Sequence, residues 1–479
     1  MSLLPLYVDL DGSLMATDTL WESLVLLIKQ RPKSLLRLPQ WLARGKAGFK
    51  AALAAQVMLD ASTLPYREEV VAHIREHKAK GGRVILATAA HETIAKQIAT
   101  HIACFDAVLA SNTVINLAGR MKAEAIQAHA QGRFAYIGDA HVDLSVWEVA
   151  EERLLVVHTS LQKQTLTKEI GKTFDHYFEA SSRKKSVSIL MRAMRLHQWS
   201  KNALLFVPVL LAHRWHDPLV WRQTIIAFVS FGLAASSIYL MNDLLDLAAD
   251  RRHPRKRFRP LASGELSIPL GLLLAAGCFM LALLGSGLGV SVAFMGMIVG
   301  YVLATLVYSV WLKRIPIVDV LALAFFYVYR LVAGAVAGGI FLTPWLLAFA
   351  AFFFVGLGCL KRVGELTVWR DTRKTGLTLA NGRGYVIDDL VMLALFGVNA
   401  GFLSLLVLAL YINSQEVASL YHRPGLLWGV VAVLVYWVMR VWLLTWRGTM
   451  HDDPVLFAMQ DKASRLVGAL AILCLLLAL

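Results

Sequence analysis

Between Asn242 and Arg259 the chain reads NDLLDLAADRRHPRKRFR. At helical spacing, Asp243, Asp246 and Asp250 share one face. Three neighbouring carboxylates repel one another, so a bound cation is the natural reason for such a row. Oxygen ligands suit Mg2+, and Mg2+ in turn bridges phosphates. Six Lys and Arg crowd into positions 251–259. They can neutralise the phosphate charge a metal leaves over, with arginines such as Arg257 and Arg259 offering a bidentate fork. The pattern from Asn242 to Asp250 therefore predicts a metal-assisted site for an anionic leaving group. The plainer alternative is a solvated helix end before a positively charged loop.

A second row of polar residues lies nearer the N-terminus, each at the end of an apolar run. LPLYVDLDGSL is a short strand that delivers Asp9 and Asp11 to its C-terminal end, where open α/β sheets place their sites. GGRVILATAAHETIAKQIA reads as strand, then Thr88, then helix. GRMKAEAI sets Lys122 at the start of another helix, and RFAYIGDAHVDLSVW is a strand that ends at Asp139 and Asp143. Alternating strands and helices predict a doubly wound parallel sheet. One Asp-x-Asp-Gly is only turn chemistry, whereas four pieces in this order carry more.

Those four pieces resemble the haloacid dehalogenase superfamily of phosphatases over nearly all of residues 5–160. The resemblance implies that Asp9 is the nucleophile, forming an aspartyl-phosphate. It makes Asp11 the acid for the leaving oxygen and then the base for water. Thr88 and Lys122 would hold phosphoryl oxygens. Asp139, Asp9 and the Asp11 carbonyl would hold one Mg2+, with Asp143 supporting the set. Residues 14–75, mostly helical, would be the cap that chooses the substrate. Their apolar and basic stretch LLRLPQWLARGKAGFKAAL suits a membrane surface or a lipid-linked anion, or is the cap's own packing face.

These sites need elements of two different kinds. The 479 residues are 57 % hydrophobic, yet the first 180 mix charge and apolar residues as a soluble domain does. From about residue 200, apolar runs of about 20 residues recur, long enough to cross a hydrocarbon core of about 30 Å. The expected organisation is a soluble domain over 1–180, a basic amphipathic linker over 181–200 and a polytopic membrane domain over 201–479. About nine spans are expected, near 201–213, 223–242, 267–286, 288–311, 317–340, 344–360, 387–411, 425–446 and 463–479. Charge gathers after every second span, which predicts that the N-terminal domain and charged loops are cytoplasmic; the expected setting is a bacterial-type inner membrane. The start MSLLPLYVDLDGS lacks the basic flank of a signal peptide. Cys104, Cys278, Cys359 and Cys474 have neither disulfide nor zinc spacing. The net charge of +15 follows from the basic loops, and no nucleic-acid motif accompanies it.

The C-terminal part, from about residue 190, resembles the UbiA superfamily of intramembrane transferases, whose first aspartate-rich motif is the Asn242–Asp250 pattern in a nine-helix fold. Prenyl-transferring members have a second acidic motif where this chain reads GLGCLKRVGELTVWRDTRKT. Lys361 and Arg362 stand there, with Glu365 close by. That departure, with RLHQWSKNALLF, YSVWLKRIPIVDVLALAFFYVYRLVAGAVAGG and LKRVGEL, is similar to the decaprenyl-phosphate phosphoribosyltransferase branch. The resemblance implies that phosphoribosyl diphosphate binds on at least one further Mg2+ held by Asp243, Asp246 or Asp250. A polyprenyl phosphate then attacks C1 as diphosphate leaves. Lys201, Arg257, Arg259, Lys313, Lys361 and Arg362 are candidates for the phosphates, Tyr308 for orienting one. Arg330, costly inside a span, faces a cavity or a buried partner. The expected product carries a 5-phosphate, which the fused phosphatase removes. The alternative is prenyl transfer from a prenyl diphosphate to an aromatic or other small acceptor, with an independent phosphatase. A homo-oligomer is left open.

Overall fold

The computed structural model describes residues 3–179, 186–373, 384–450 and 453–479. The start of the basic linker (181–185), the end of the expected charged loop after Arg373, and His451 and Asp452 lie outside the described residues. The chain divides into two compact units: Met1–Arg195 with Tyr239–Gly277, and Leu196–Ile238 with Cys278–Leu479.

The first unit is built on six strands: β1 (Leu6–Val8), β2 (Val84–His91), β3 (Ala107–Ser111), β4 (Ala135–Gly138), β5 (Glu152–Val157) and β6 (His176–Glu179). Their order is β3-β2-β1-β4-β5-β6, and every pair is parallel. β1 and β4 are buried throughout, as central strands covered on both faces must be. Alternate residues feed two cores. Leu6, Val8 and Leu86 face Val70 and Ile74 of α3 (Glu68–Ala79) and Ile94 and Ile98 of α4 (Glu92–Ile102). Tyr7, Ile85 and Tyr136 face Ile126 of α5 (Arg120–Ala130) and Leu166 of α6 (Ser160–Ile170). This is the doubly wound sheet expected.

Before α3, where the cap was expected, lie α1 (Thr19–Gln30), a five-residue helix (Leu38–Leu42) and α2 (Gly45–Ala54). They share a small core of Leu27, Trp41, Leu53 and Val57. Asp18 caps α1, accepting from the N–H groups of Leu20 and Trp21 at 2.7 and 3.3 Å.

The aspartate-rich segment belongs to this same unit. α7 (Pro218–Leu245) stops just before Asp246, whose φ of −103° and ψ of 12° leave the helix, and α8 (Leu247–Arg252) follows. Leu240, Leu244 and Leu247 pack with Val25 of α1 and with Leu266 and Ile268, the last at the start of α9 (Ile268–Gly289).

The second unit is helical. It contains α10 (Val292–Val310), α11 (Val318–Gly338), α12 (Pro344–Arg373), α13 (Asp389–Ile412), α14 (Trp428–Trp446), α15 (Pro454–Gln460) and α16 (Lys462–Ala478). Among the described residues, seven helices are long and apolar enough to cross a membrane: α7 and α9–α14. Nine were expected, and the two differences have physical causes. The first expected span contains Pro208 and a left-handed His213, and forms only a 3-10 stretch (Leu196–Phe206) and a five-residue helix. The last is α16, whose 17 residues reach only about 25 Å at 1.5 Å per residue, short of the core thickness.

Candidate active sites

In the first unit the chain runs from β1 outward to β3, then returns to place β4 on the other side of β1. Ligands of open α/β sheets sit at this point of reversal, beyond the C-terminal strand ends. Asp9 and Asp11 follow β1 there, and Asp139 and Asp143 follow β4. A cavity of about 290 Å3 opens onto all four, and Lys122 lines it as well.

Lys122, on the first turn of α5, is buried. Its Nζ donates to Asp9 Oδ1 at 2.8 Å, Asp143 Oδ1 at 3.0 Å and the Tyr136 hydroxyl at 3.0 Å. Burial alone lowers the pKa of an ammonium, but Asp143 and Asp9 more than offset it and hold Lys122 above its usual value. Asp143 is used up as a support: its Oδ1 also accepts from Tyr136 at 2.6 Å, and its Oδ2 accepts from the N–H groups of Asp139 and Ala140, both at 3.2 Å. Asp139 receives the Ser13 hydroxyl at 3.1 Å and lies 3.0 Å from His158 Nε2.

Burial pushes the Asp9 carboxyl up to about 7, with Asp143 and Asp139 adding to the rise and Lys122 opposing it. Asp11 is raised well above the carboxylate range, by burial first and then by the charge of Asp18. It accepts from the Thr19 N–H at 2.7 Å and from the Thr19 hydroxyl at 3.1 Å. A shift in this direction favours the protonated form, which is the form a proton donor needs.

Carboxylate oxygens of Asp9, Asp139 and Asp143 lie within 4.8 Å of one another. With Lys122 on Asp9 Oδ1 and Asp143 fully engaged, Asp9 Oδ2 and Asp139 are the oxygens that suit a hard divalent ion. Thr88 is fully buried near the end of β2, its hydroxyl accepting from the Ala90 N–H at 3.0 Å. The cavity wall runs through Ala89, Ala90 and His91 instead. Two cations come from the cap: Lys46 and Lys50 of α2 line the cavity, and Lys50 donates to the Ala89 carbonyl at 2.6 Å and to Asn116 Oδ1 at 3.0 Å. Of the residues not foreseen, Ser13 adjoins a motif that could have flagged it. Lys50 was hidden in an apolar and basic stripe, and His158 had no local signal.

Gly12 holds this site open. Its φ is +81°, and a Cβ there would stand 2.2 Å from Asp139 Oδ2. Gly12→Ala is expected to displace Asp139 and to cost about 100-fold in hydrolysis of a simple phosphomonoester, the scale of a misplaced reacting group. Phosphate release measured beside a melting curve checks this.

The aspartate-rich segment was expected to align three carboxylates. Instead it brings two together and turns the third away. Arg259 Nη1 bridges Asp243 Oδ1 at 3.0 Å and Asp250 Oδ2 at 2.5 Å, and Arg195 also pairs with Asp243. Asp243 and Asp250 are buried. Asp246 sits at the helix break, half-exposed, 3.4 Å from Lys29. Helical spacing does not carry across that break, which is why the row splits. Asn242 is half-buried, its carbonyl accepting from the Asp246 N–H at 2.9 Å. Arg257 is exposed over the Phe258 ring. Asp243 and Asp250 keep the oxygen donors Mg2+ takes, with Arg259 between them.

The cap grips the same segment. Arg251 donates two hydrogen bonds to Glu22, at 2.6 and 3.1 Å, with both side chains buried. Breaking one side of a buried pair costs about 3–5 kcal/mol. Glu22→Ala should therefore lower the melting temperature markedly, and Glu22→Leu with Arg251→Met should regain most of it. Equal melting of the wild type and Glu22→Ala would contradict this.

In the second unit, Lys201 and Lys361 both donate to Asp453 Oδ2, at 2.8 and 3.0 Å, and the Tyr327 hydroxyl donates to Asp453 Oδ1 at 3.2 Å. Burial raises the Asp453 pKa, but Lys361 and Lys201 outweigh it and hold the group well below the usual range. Arg362 is buried between Asp319 and Glu365, and Tyr308 donates to Asp319 at 2.8 Å. Arg330 is buried too, with no carboxylate partner among the described residues. It donates to Asn202 Oδ1 at 3.1 Å, to the Phe326 carbonyl at 2.6 Å and to the Tyr301 hydroxyl at 3.0 Å. Gly334, one turn further along α11, makes this approach feasible, because a Cβ there would stand 2.2 Å from the Leu205 carbonyl. Lys313 is half-buried without an ion pair among the described residues. Asp319 and Asp453 were not foreseen as site residues. Asp319 lies in the first turn of α11 and Asp453 follows Asp452 just before α15, and only the fold shows what each gathers.

Residues 203–477 match the UbiA prenyltransferase family. The chain belongs to that family. Residues 7–148 of this UbiA-family protein match the haloacid dehalogenase-like hydrolases. The chain thus joins a hydrolase-family domain to a multi-pass, transferase-family membrane domain. It is 34 % identical over 471 residues to the uncharacterized protein y4nM of Sinorhizobium fredii, covering 98 % of this chain and 89 % of that one. It is 35 % identical over 188 residues to the decaprenyl-phosphate phosphoribosyltransferase of Corynebacterium glutamicum, covering 38 % of this chain and 56 % of that one. A UbiA homolog from Archaeoglobus fulgidus bound to DMAPP and Mg2+ is similar at 16 % identity and a TM-score of 0.45, over 59 % of this chain and 98 % of that one.

Proposed function

We propose that this protein transfers 5-phosphoribosyl from phosphoribosyl diphosphate to a polyprenyl phosphate, and that its N-terminal domain then removes the 5-phosphate to leave polyprenylphosphoryl ribose. The observation that carries the reading is the cationic stretch on α12. There Lys361 joins Lys201 on Asp453, where prenyl-transferring relatives are expected to hold a second acidic motif. The resemblance to a decaprenyl-phosphate phosphoribosyltransferase over part of the membrane domain supports it.

In the transfer, a lipid phosphate oxygen forms a bond to C1 of the ribose as the C1–O bond to diphosphate breaks. Charge develops on the leaving oxygens, and buried cations stabilise it best where water is excluded. Arg259 and Arg195 stand beside Asp243 for that task. Mg2+ held by Asp243 and Asp250 would supply further charge neutralisation. In the second reaction Asp9 attacks the 5-phosphorus, the ribose oxygen leaves with the proton of Asp11, and water then releases phosphate from Asp9. Lys122 steadies Asp9, and Lys46 and Lys50 face the incoming anion. Mg2+ on Asp9, Asp139 and the Asp11 carbonyl would offset the repulsion between carboxylate and phosphate. The setting is an inner membrane, with both sites on the cytoplasmic side.

The test is donor choice. Detergent-solubilised protein with Mg2+ and a polyprenyl phosphate is expected to release diphosphate from phosphoribosyl diphosphate. Release only from a prenyl diphosphate with an aromatic acceptor would replace this reading by prenyl transfer.

A further inference from the structure

We propose that Lys201, Lys361 and Arg330, gathered around Asp453, form a metal-independent binding site for a phosphate monoester dianion. The inference rests on the reading of the membrane domain as a phosphoribosyl transferase, and it names the charge and chemistry of the group held there.

The argument begins with charge. Lys201 and Lys361 share one carboxylate, that of Asp453. Arg330 is joined to the same cluster from two directions. Its Nε holds Asn202, the neighbour of Lys201, and Tyr327, one turn before it on α11, donates to Asp453. Among the described residues, three cations are thus balanced by one anion. Lys201 and Arg330 are largely buried, with side-chain exposures of 14 % for Lys201 and 5 % for the Arg330 residue. Lys361 is more open, at 27 % side-chain exposure, and an excess of positive charge partly withdrawn from water is costly unless a ligand completes it. A phosphate monoester carries about two negative charges at neutral pH and would do so.

Unused donors point the same way. A guanidinium has five N–H groups, and the bonds of Arg330 to Asn202, Phe326 and Tyr301 take three of them. The Asn202 Nδ2 is buried with no hydrogen-bond partner among the described residues. An orphaned amide donor beside a cation with spare N–H groups is the arrangement an incoming oxyanion satisfies, since a buried donor left unpaired costs about 1–3 kcal/mol. The rings of Phe231 and Tyr301, each 5.3 Å from the Arg330 guanidinium carbon, and Tyr327 at 5.8 Å fix the guanidinium. Asp453 acts as the positioning residue: it holds the two lysine heads within hydrogen-bond reach of one atom, and so near each other despite their repulsion. The paired Arg362 and Asp319 lack this surplus.

Two phosphate monoesters occur in the proposed reaction: the 5-phosphate of the sugar donor and the head group of the polyprenyl phosphate. The test measures the affinity of the full-length protein in detergent with EDTA, which stops turnover. The ligands are ribose 5-phosphate, a polyprenyl phosphate, and the methyl phosphodiester of each. The proposal expects one of the two monoesters to bind at least about 10-fold tighter than its methyl diester, the scale of one charge-assisted contact. Lys361→Met should remove that preference, and the ligand that loses it identifies the source. Asp453→Asn, which keeps the side-chain shape, should weaken the same ligand and leave the other unchanged; a merely structural role would weaken both alike. Monoester and diester binding equally, or Lys361→Met and Arg330→Met both retaining the preference, would overturn the site. If the preference is found but no sugar is transferred, the site stands and the phosphoribosyl reading fails.

Discussion

Asp9→Asn is expected to abolish phosphate release, by at least about 1,000-fold, the scale of losing a nucleophile, while sugar transfer to the lipid continues. Asp9 Oδ1 accepts from Lys122, and its other oxygen lies 3.4 Å from the Ser13 hydroxyl. Asparagine keeps the shape but cannot form the acyl phosphate. Lys122 would still be paired with Asp143 at 3.0 Å, so the domain should stay folded. The lipid product then keeps its 5-phosphate. Mass spectrometry of the extracted lipid reads this directly. Undiminished phosphate release by the variant would remove Asp9 from the nucleophile's role.

Asp243→Asn is expected to have the converse effect. Asp243 is buried and receives both Arg195 and Arg259. Neutralising it leaves two guanidinium groups beside Asp250 alone and removes an oxygen that a metal would need. A loss of about 100- to 1,000-fold in transfer is expected, comparable with removing one preorganised group that stabilises developing charge. Hydrolysis of a soluble phosphomonoester should continue, because the Asp9 centre does not use Asp243. If both reactions fall together and the melting curve shifts down, the residue is structural. Transfer at the wild-type rate would move the leaving-group site elsewhere.

Much of the hydrolase-family domain was legible because its polar residues are placed locally. Each strand is short and apolar, and its polar residue follows at once, so Asp9, Asp11, Asp139 and Asp143 could be placed on the sheet before their partners were known. The partners themselves came from elsewhere. Lys50 reaches Ala89 and Asn116 from the cap, and His158 reaches Asp139 from beyond β5. Such contacts depend on tertiary approach, which leaves no periodic trace.

The aspartate row shows the opposite failure. Counting residues at helical spacing assumes an unbroken helix, and α7 ends just before Asp246. One residue outside the helix suffices to turn that carboxylate toward Lys29. In the membrane domain the long apolar runs were readable, but Pro208 and the 17-residue length of α16 limit what two of them can span. Arg330 was recognised as costly from hydropathy alone. Its neighbours Asn202 and Tyr301 could be named only from the packing of the 196–206 segment against α11.

The most direct measurement is the mass of the lipid formed when wild-type protein receives Mg2+, a polyprenyl phosphate and phosphoribosyl diphosphate. The account predicts polyprenylphosphoryl ribose from the wild type, and its 5-phosphorylated form from Asp9→Asn. If neither protein makes a sugar-bearing lipid, phosphoribosyl transfer is contradicted, and a prenyl diphosphate becomes the donor to test.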